Sequence, residues 1–310
     1  MRRWWALLGW ILWAHPAFAD GPAYFSANQF DLPARGEGLL GLEPSRALQD
    51  RLQTSGRVSY LLAPLNVKLG APSDTPTRGA IVSDLFLVEA GAAVRVLRGL
   101  DVGAVLVWHA FQAGSGLSGV SSGAALAPTA FGDARLSLGY GFDFTNWSLR
   151  PFAIAHLPTG DATNFAGEGS FHAELGAALG HFSSDYELSL DVRGHFREPK
   201  TLGLFTLGQQ LRVALGGRFR LGPLFWLGVE GYVAPILDSQ PAPEDGQAAS
   251  YIPSELLAHG SLEVDRWLIT LGLGVGLPLG HLSSVNQDAG GQVAPSTPAM
   301  RSLLEVRYQL

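Results

Sequence analysis

The sequence predicts an all-β fold, a closed antiparallel transmembrane β-barrel of about twelve strands with both termini on one side. Three features carry this expectation. Apolar and polar residues alternate along most of the chain, short and long connections alternate between the segments, and aromatic residues gather at both segment ends. The 39 glycines and the scarcity of helical periodicity fit a protein made of strands and turns.

Strand-like segments fall near 57–70, 82–97, 101–112, 133–142, 147–157, 170–182, 186–197, 204–220, 224–237, 254–264, 267–279 and 301–310. Short turns are expected at Arg98–Leu100, Asp143–Asn146, Ser183–Asp185, Leu221–Pro223 and Asp265–Arg266. The long connections lie near 71–81, 113–132, 158–169, 198–203, 238–253 and 280–300, rich in Gly, Ser, Pro and Asp. Strict alternation of the two kinds is the layout of outer-membrane barrels, with short periplasmic turns and long external loops. A soluble sandwich mixes loop lengths through its Greek-key crossings.

The alternation is clearest at Tyr186, Leu188, Leu190 and Val192, interleaved with Glu187, Ser189, Asp191 and Arg193. In a membrane barrel the apolar set faces lipid and the polar set faces the lumen. Lumen-lining candidates are therefore Arg135, Glu174, Asp191, Arg193, Arg212, Arg218, Glu230, Glu263 and Arg307. Arg193, Arg212 and Arg218 are expected to form a basic strip opposite an acidic strip of Glu230 and Glu263. Inward glycines such as Gly216, Gly228, Gly272 and Gly274 favour a partly open, solvated interior.

Two aromatic girdles are expected. Phe142, Phe144, Trp147, Phe182, Tyr186, Phe225, Trp226 and Trp267 would form one, beside the short turns. Trp108, Phe111, Phe131, Phe171, Phe196, Phe205, Tyr232 and Tyr251 would form the other. The segment 57–70 is irregular, because Pro64 interrupts it and its alternation changes phase. Proline in a closed barrel needs a bulge, since there is no edge to hold it.

The N-terminus predicts export. Arg2 and Arg3 precede an apolar run from Trp4 to Ala14, and Ala17-Phe18-Ala19 supplies a small-x-small cleavage site. Residues 1–19 are thus expected to be a signal peptide, 20–55 a periplasmic tail or a lumen plug, and 56–310 the barrel, with the tail favoured over the plug. The 21 basic residues less Arg2 and Arg3, against 27 acidic ones, give the mature chain a formal charge of −8. That balance argues against a nucleic-acid partner. With no cysteine, zinc–thiolate and cysteine-nucleophile chemistry are excluded.

Short motifs add a resemblance. Leu157-Pro158-Thr159-Gly160-Asp161 resembles the LPTGD element of outer-membrane barrels related to phenol-degradation and transporter-like proteins. Gly132-Asp133-Ala134-Arg135-Leu136 and Phe165-Ala166-Gly167-Glu168-Gly169 resemble the barrel domain of some OmpA-family proteins, whose peptidoglycan-binding module is not expected here. Leu304, Val306, Tyr308 and Leu310 alternate with Glu305, Arg307 and Gln309, similar to the terminal strand that barrel-assembly machinery recognises.

Catalysis is not expected. His181 with Ser183 and Ser184, and His281 with Ser283 and Asn286, hold nucleophile and base residue types, but no GxSxG elbow is present. No cofactor and no metal are expected. Asp161, Asn164 and Glu168 share a loop and are more ordinary as solvated groups than as Ca²⁺ ligands. His109, His172, His195 and His259 are expected to face inward from separate strands. The functional expectation is a Gram-negative, porin-like barrel of the cell outer membrane, in contact with its lipid, that passes or binds small solutes. A closed structural or surface-interaction barrel is the alternative, and a lipid hydrolase a distant third.

Overall fold

The computed structural model describes residues 42–46, 48, 50–69, 77–114, 125–202, 205–237, 252–277, 292–294 and 298–310. The expected leader, and most of the segment between it and the barrel, lie outside these residues. Twelve long strands form the staves: β1 (Leu52–Leu69), β2 (Thr77–Leu97), β3 (Leu100–Gly114), β4 (Ala134–Tyr140), β5 (Trp147–Leu157), β6 (His172–Phe182), β7 (Tyr186–Phe196), β8 (Gln210–Arg220), β9 (Phe225–Val233), β10 (Ser254–Val264), β11 (Trp267–Gly276) and β12 (Met300–Gln309). Each pairs antiparallel with its sequence neighbour, and β1 pairs with both β2 and β12, which closes the barrel. Closure leaves no stave with an unpaired edge. Among the described residues no helix is long and apolar enough to cross a membrane, so any crossing is made by strands.

The short turns are tight for local reasons. Gly99 sits at φ 84° in the β2–β3 turn, where an L side chain is disfavoured, and Asp265 takes φ 51° in the two-residue β10–β11 turn. Pro64 falls at a bulge. Leu62 pairs with Asp84 but Leu65 with Val82, and Ala63 takes φ 49°. The bulge absorbs the missing N–H and accounts for the phase change in the sequence.

Three boundaries differ from expectation by five residues or more, one of them the second stave, which begins at Thr77 rather than 82. The first stave begins at Leu52 rather than Arg57. Lys200–Leu202 and Phe205–Leu207 form a small separate hairpin, so β8 starts at Gln210 rather than 204. Turn residues and a period of two cannot distinguish a stave from a ribbon that projects beyond it.

Polarity is inverted relative to a water-soluble protein. Along β3, Asp101, Val105 and His109 are buried while Val102, Leu106 and Trp108 are exposed. Leu106, Leu215 and Leu271 expose 66%, 63% and 63% of their surface, yet Arg150, Arg301 and Arg307 expose 1% each. A continuous apolar exterior of this kind is stable only against lipid.

The girdles form with three exceptions. Phe142, Phe144, Trp147, Tyr186, Phe225 and Trp267 are exposed at one end, and Trp108, Phe111, Phe131, Phe171 and Phe196 at the other. Phe182, Trp226 and Tyr232 instead point inside, where each carries an arginine on its ring face. Inward parity together with a cation for the ring outweighs the interfacial preference. The Phe205 side chain and Tyr251 lie outside the described residues.

Candidate functional site: a filled lumen and its histidine mouth

The inward faces build a network of paired charges. Arg57 and Arg307 share Glu305, with Arg57 Nε 3.1 Å from its Oε1. Arg301 donates to Glu255 at 2.8 Å, Arg218 to Glu187 at 2.6 Å, and Arg135 pairs with Glu89. Arg193 binds Asp191 on its own strand and Glu174 on the next, the latter at 3.0 Å. In so enclosed a space an unpaired charge would cost several kcal/mol, so the signs interleave.

Of the lumen candidates, Arg135, Glu174, Asp191, Arg193, Arg212, Glu230 and Arg307 are buried on inward faces, and Arg218 is partly so. Glu263 shares the inward parity but is exposed: it lies near the β10–β11 turn and lines a cavity at the short-turn mouth, accepting from Trp226 Nε1 at 3.1 Å, with Arg220 4.0 Å away. Opposing basic and acidic strips do not form either. Arg193 and Arg212 are register partners, but Arg193 is held by carboxylates, Arg212 lies over Tyr232 at 4.5 Å, and Glu230 faces His259 at 3.3 Å.

Inward glycines seat neighbouring side chains instead of opening a channel. A Cβ on Gly139 would stand 2.2 Å from the Arg150 guanidinium, and one on Gly228 2.3 Å from His259 Nε2. Counting glycines gives backbone space, not what fills it.

Residues 42–46 enter the barrel from the short-turn end. Arg46 lies 3.5 Å over Phe182, and Ser148 Oγ donates to Ser45 Oγ at 2.9 Å. Glu43 accepts from Arg150 at 3.1 Å, while its own N–H donates to Asp191 at 2.9 Å. Leu42 packs with Ala214, Tyr232 and Ala234. Beneath the segment, a cavity of about 180 Å³ remains at the short-turn mouth, beside Arg46 and Arg218.

At the opposite mouth the three resembled motifs converge on Asp133. One of its carboxylate oxygens accepts from Gly160 N and the other from Glu168 N, both at 2.8 Å. This folds the 158–171 connection onto the barrel. Asp161 caps the 3₁₀ turn Ala162–Asn164, accepting from Thr163 N at 3.1 Å and Asn164 Nδ2 at 2.7 Å. Burial opposes its charge, but these hydrogen bonds prevail and hold its carboxyl below the usual aspartate range. With Asp161 committed to the turn and Glu168 donated to by Arg197 at 2.6 Å, the loop offers no converging Ca²⁺ ligand set. Phe165, at φ 56°, inserts into an apolar cluster with Leu61, Leu85, Leu87 and Val107 that fills part of this end.

Beneath that loop, strand register brings three histidines together. His156 on β5 is the partner of His172 on β6, and their rings stack 4.1 Å apart. His195 on β7 stands 4.8 Å from His172, ring to ring. Ligand-capable nitrogens of all three lie within 4.8 Å of one another. His172 and His195 are two of the histidines expected to face inward; His156 is not among those expected. Its parity with Arg150 on one strand was the available signal. His181 lies elsewhere, between Trp147 and Tyr186 at 4.5 and 5.6 Å. His281, Ser283 and Asn286 lie outside the described residues.

The closed sheet, lipid-facing exterior and polar interior define a β-barrel of the outer-membrane type. No family model matches the sequence, and no curated protein matches it. Solved structures of related shape include the KdgM porin, at 9% identity over 83% of this chain and 99% of that one, TM-score 0.46. The Pseudomonas putida toluene transporter TodX shows 13% identity over 93% of this chain and 98% of that one, TM-score 0.46. The CymD monoaromatic hydrocarbon channel shows 12% identity over 85% of this chain and 89% of that one, TM-score 0.44.

Proposed function

We propose that this chain resides in a bacterial outer membrane and passes or binds small solutes through a lumen held shut at rest by residues 42–46. Its termini would then be periplasmic and its long connections at the cell surface. The observation that carries the reading is Glu43 bound to Arg150 inside the barrel. A segment held by a few polar contacts, with a cavity at one end, is a closure that can move without unpicking any stave. The final strand β12 would present the assembly signal.

Planar-bilayer recordings on full-length mature protein and on a variant lacking residues up to Asp50 test this. The full chain should be silent or open rarely, and the truncated one should show steady ohmic steps. A second reading, a permanently closed structural or surface-interaction barrel, draws support from the ion pairs that join staves around the interior. It expects no conductance from either protein, and that outcome would replace the first reading.

A further inference from the structure

We propose that His156, His172 and His195 form a binding site for a divalent transition-metal ion of the Zn²⁺ type, set just inside the long-connection mouth. Three imidazoles on adjacent strands, with nitrogens within 4.8 Å of one another, are the donor set that borderline ions such as Zn²⁺, Cu²⁺ and Ni²⁺ select. Zn–N bonds of about 2.0–2.1 Å put tetrahedral ligand atoms roughly 3.4 Å apart. The rings therefore need to draw in by little more than an ångström, within side-chain rotation.

Two further observations point to a ligand. His195 Nε2 is shielded from solvent and has no hydrogen-bond partner, although a buried ring nitrogen ordinarily finds one. A cavity of about 50 Å³ lies at the same place, bordered by the three histidines, Glu168 and Glu174. The carboxylates are disposed as outer partners. Glu174 Oε1 is 3.2 Å from His156 Nε2, and Glu168 Oε2 is 3.6 Å from His172 Nδ1. A carboxylate on one ring nitrogen orients an imidazole whose other nitrogen takes the metal. Asp133 fixes Glu168 through its backbone N–H, so the loop clasp and the site form one unit.

Electrostatics limits the affinity. Arg193 pairs with Glu174 at 3.0 Å and Arg197 with Glu168 at 2.6 Å, so both carboxylates are already neutralised. The ion would be held mainly by imidazole bonding, and more weakly than in a structural thiolate site. Occupancy would tie β5, β6 and β7 together at their loop ends.

The test uses the full mature chain refolded in detergent and titrated with Zn²⁺ by calorimetry. One equivalent should bind at pH 7.5. His195→Gln should keep the heat-modifiable folded band, since its Nε2 holds no partner, and should weaken binding by roughly 100-fold. His181→Gln, outside the site, should change nothing. A Cu²⁺ EPR spectrum of the unmutated protein should show nitrogen hyperfine structure from several imidazoles, and needs no variant to fold. No binding by the unmutated protein, undiminished binding by His195→Gln, or an equal loss in His181→Gln would overturn the proposal. Each result is independent of whether the barrel conducts.

Discussion

At the scale of single residues, each side chain's worth depends on which face of its strand it occupies. Leu190 faces out and Asp191 faces in, where Arg193 and the Glu43 N–H hold it. Replacing Leu190 by Arg should cost about 2–4 kcal/mol, from placing a cation in lipid. Arg150→Ala should cost about 3–5 kcal/mol, because it removes the buried guanidinium that Glu43 and Asp101 share in the interior. Urea unfolding in vesicles separates the two causes. The Leu190 penalty should shrink in short-chain detergent, which lets water reach the exterior, and the Arg150 penalty should not. Face assignment was legible in the sequence, because period-two alternation gives parity directly. Partnership was not, since Glu43 and Arg150 stand 107 residues apart and only strand register brings them together.

At the scale of elements, the clasp at Asp133 decides the shape of one mouth. It accepts from the backbones of Gly160 and Glu168, so Asp133→Ala leaves two N–H groups without acceptors at about 1–3 kcal/mol each. Limited proteolysis should then cut within 158–171 where the unmutated protein resists, and Asp133→Asn, which keeps one accepting oxygen, should be intermediate. Asp161 adds a pH dependence. Its carboxyl titrates below the ordinary range, so its share of loop stability is present above the unfolded aspartate pKa and fades as pH falls through the lowered value. Resistance to proteolysis should therefore weaken in acid. The short motifs marked this loop in the sequence, but not that three of them meet at one carboxylate. The separate hairpin 200–207 was hidden because a projecting ribbon and a stave share the same alternation.

At the scale of the whole molecule, closure, strand count and inverted polarity were all legible, since connection lengths and alternation repeat through the barrel segment 56–310. The state of the lumen was not. Inward glycines read as open space, whereas Gly180 lies so close to Ser45 that a Cβ there would stand 2.1 Å from its hydroxyl. Residues 42–46 carry no alternation to announce where they go, and their path follows from Arg150, Ser148 and Asp191 waiting inside. A segment seated in the lumen is the central claim, and the absence of native cysteine allows a direct measurement. Ser45 and Ser148 have hydroxyls 2.9 Å apart, within reach of a disulfide after a small rotation. In the refolded Ser45→Cys/Ser148→Cys protein, mild oxidation should convert nearly every molecule to an intramolecular disulfide, seen as a reducible gel shift and as loss of both free thiols. A correctly folded barrel whose two thiols stay free and open to labelling would contradict the account.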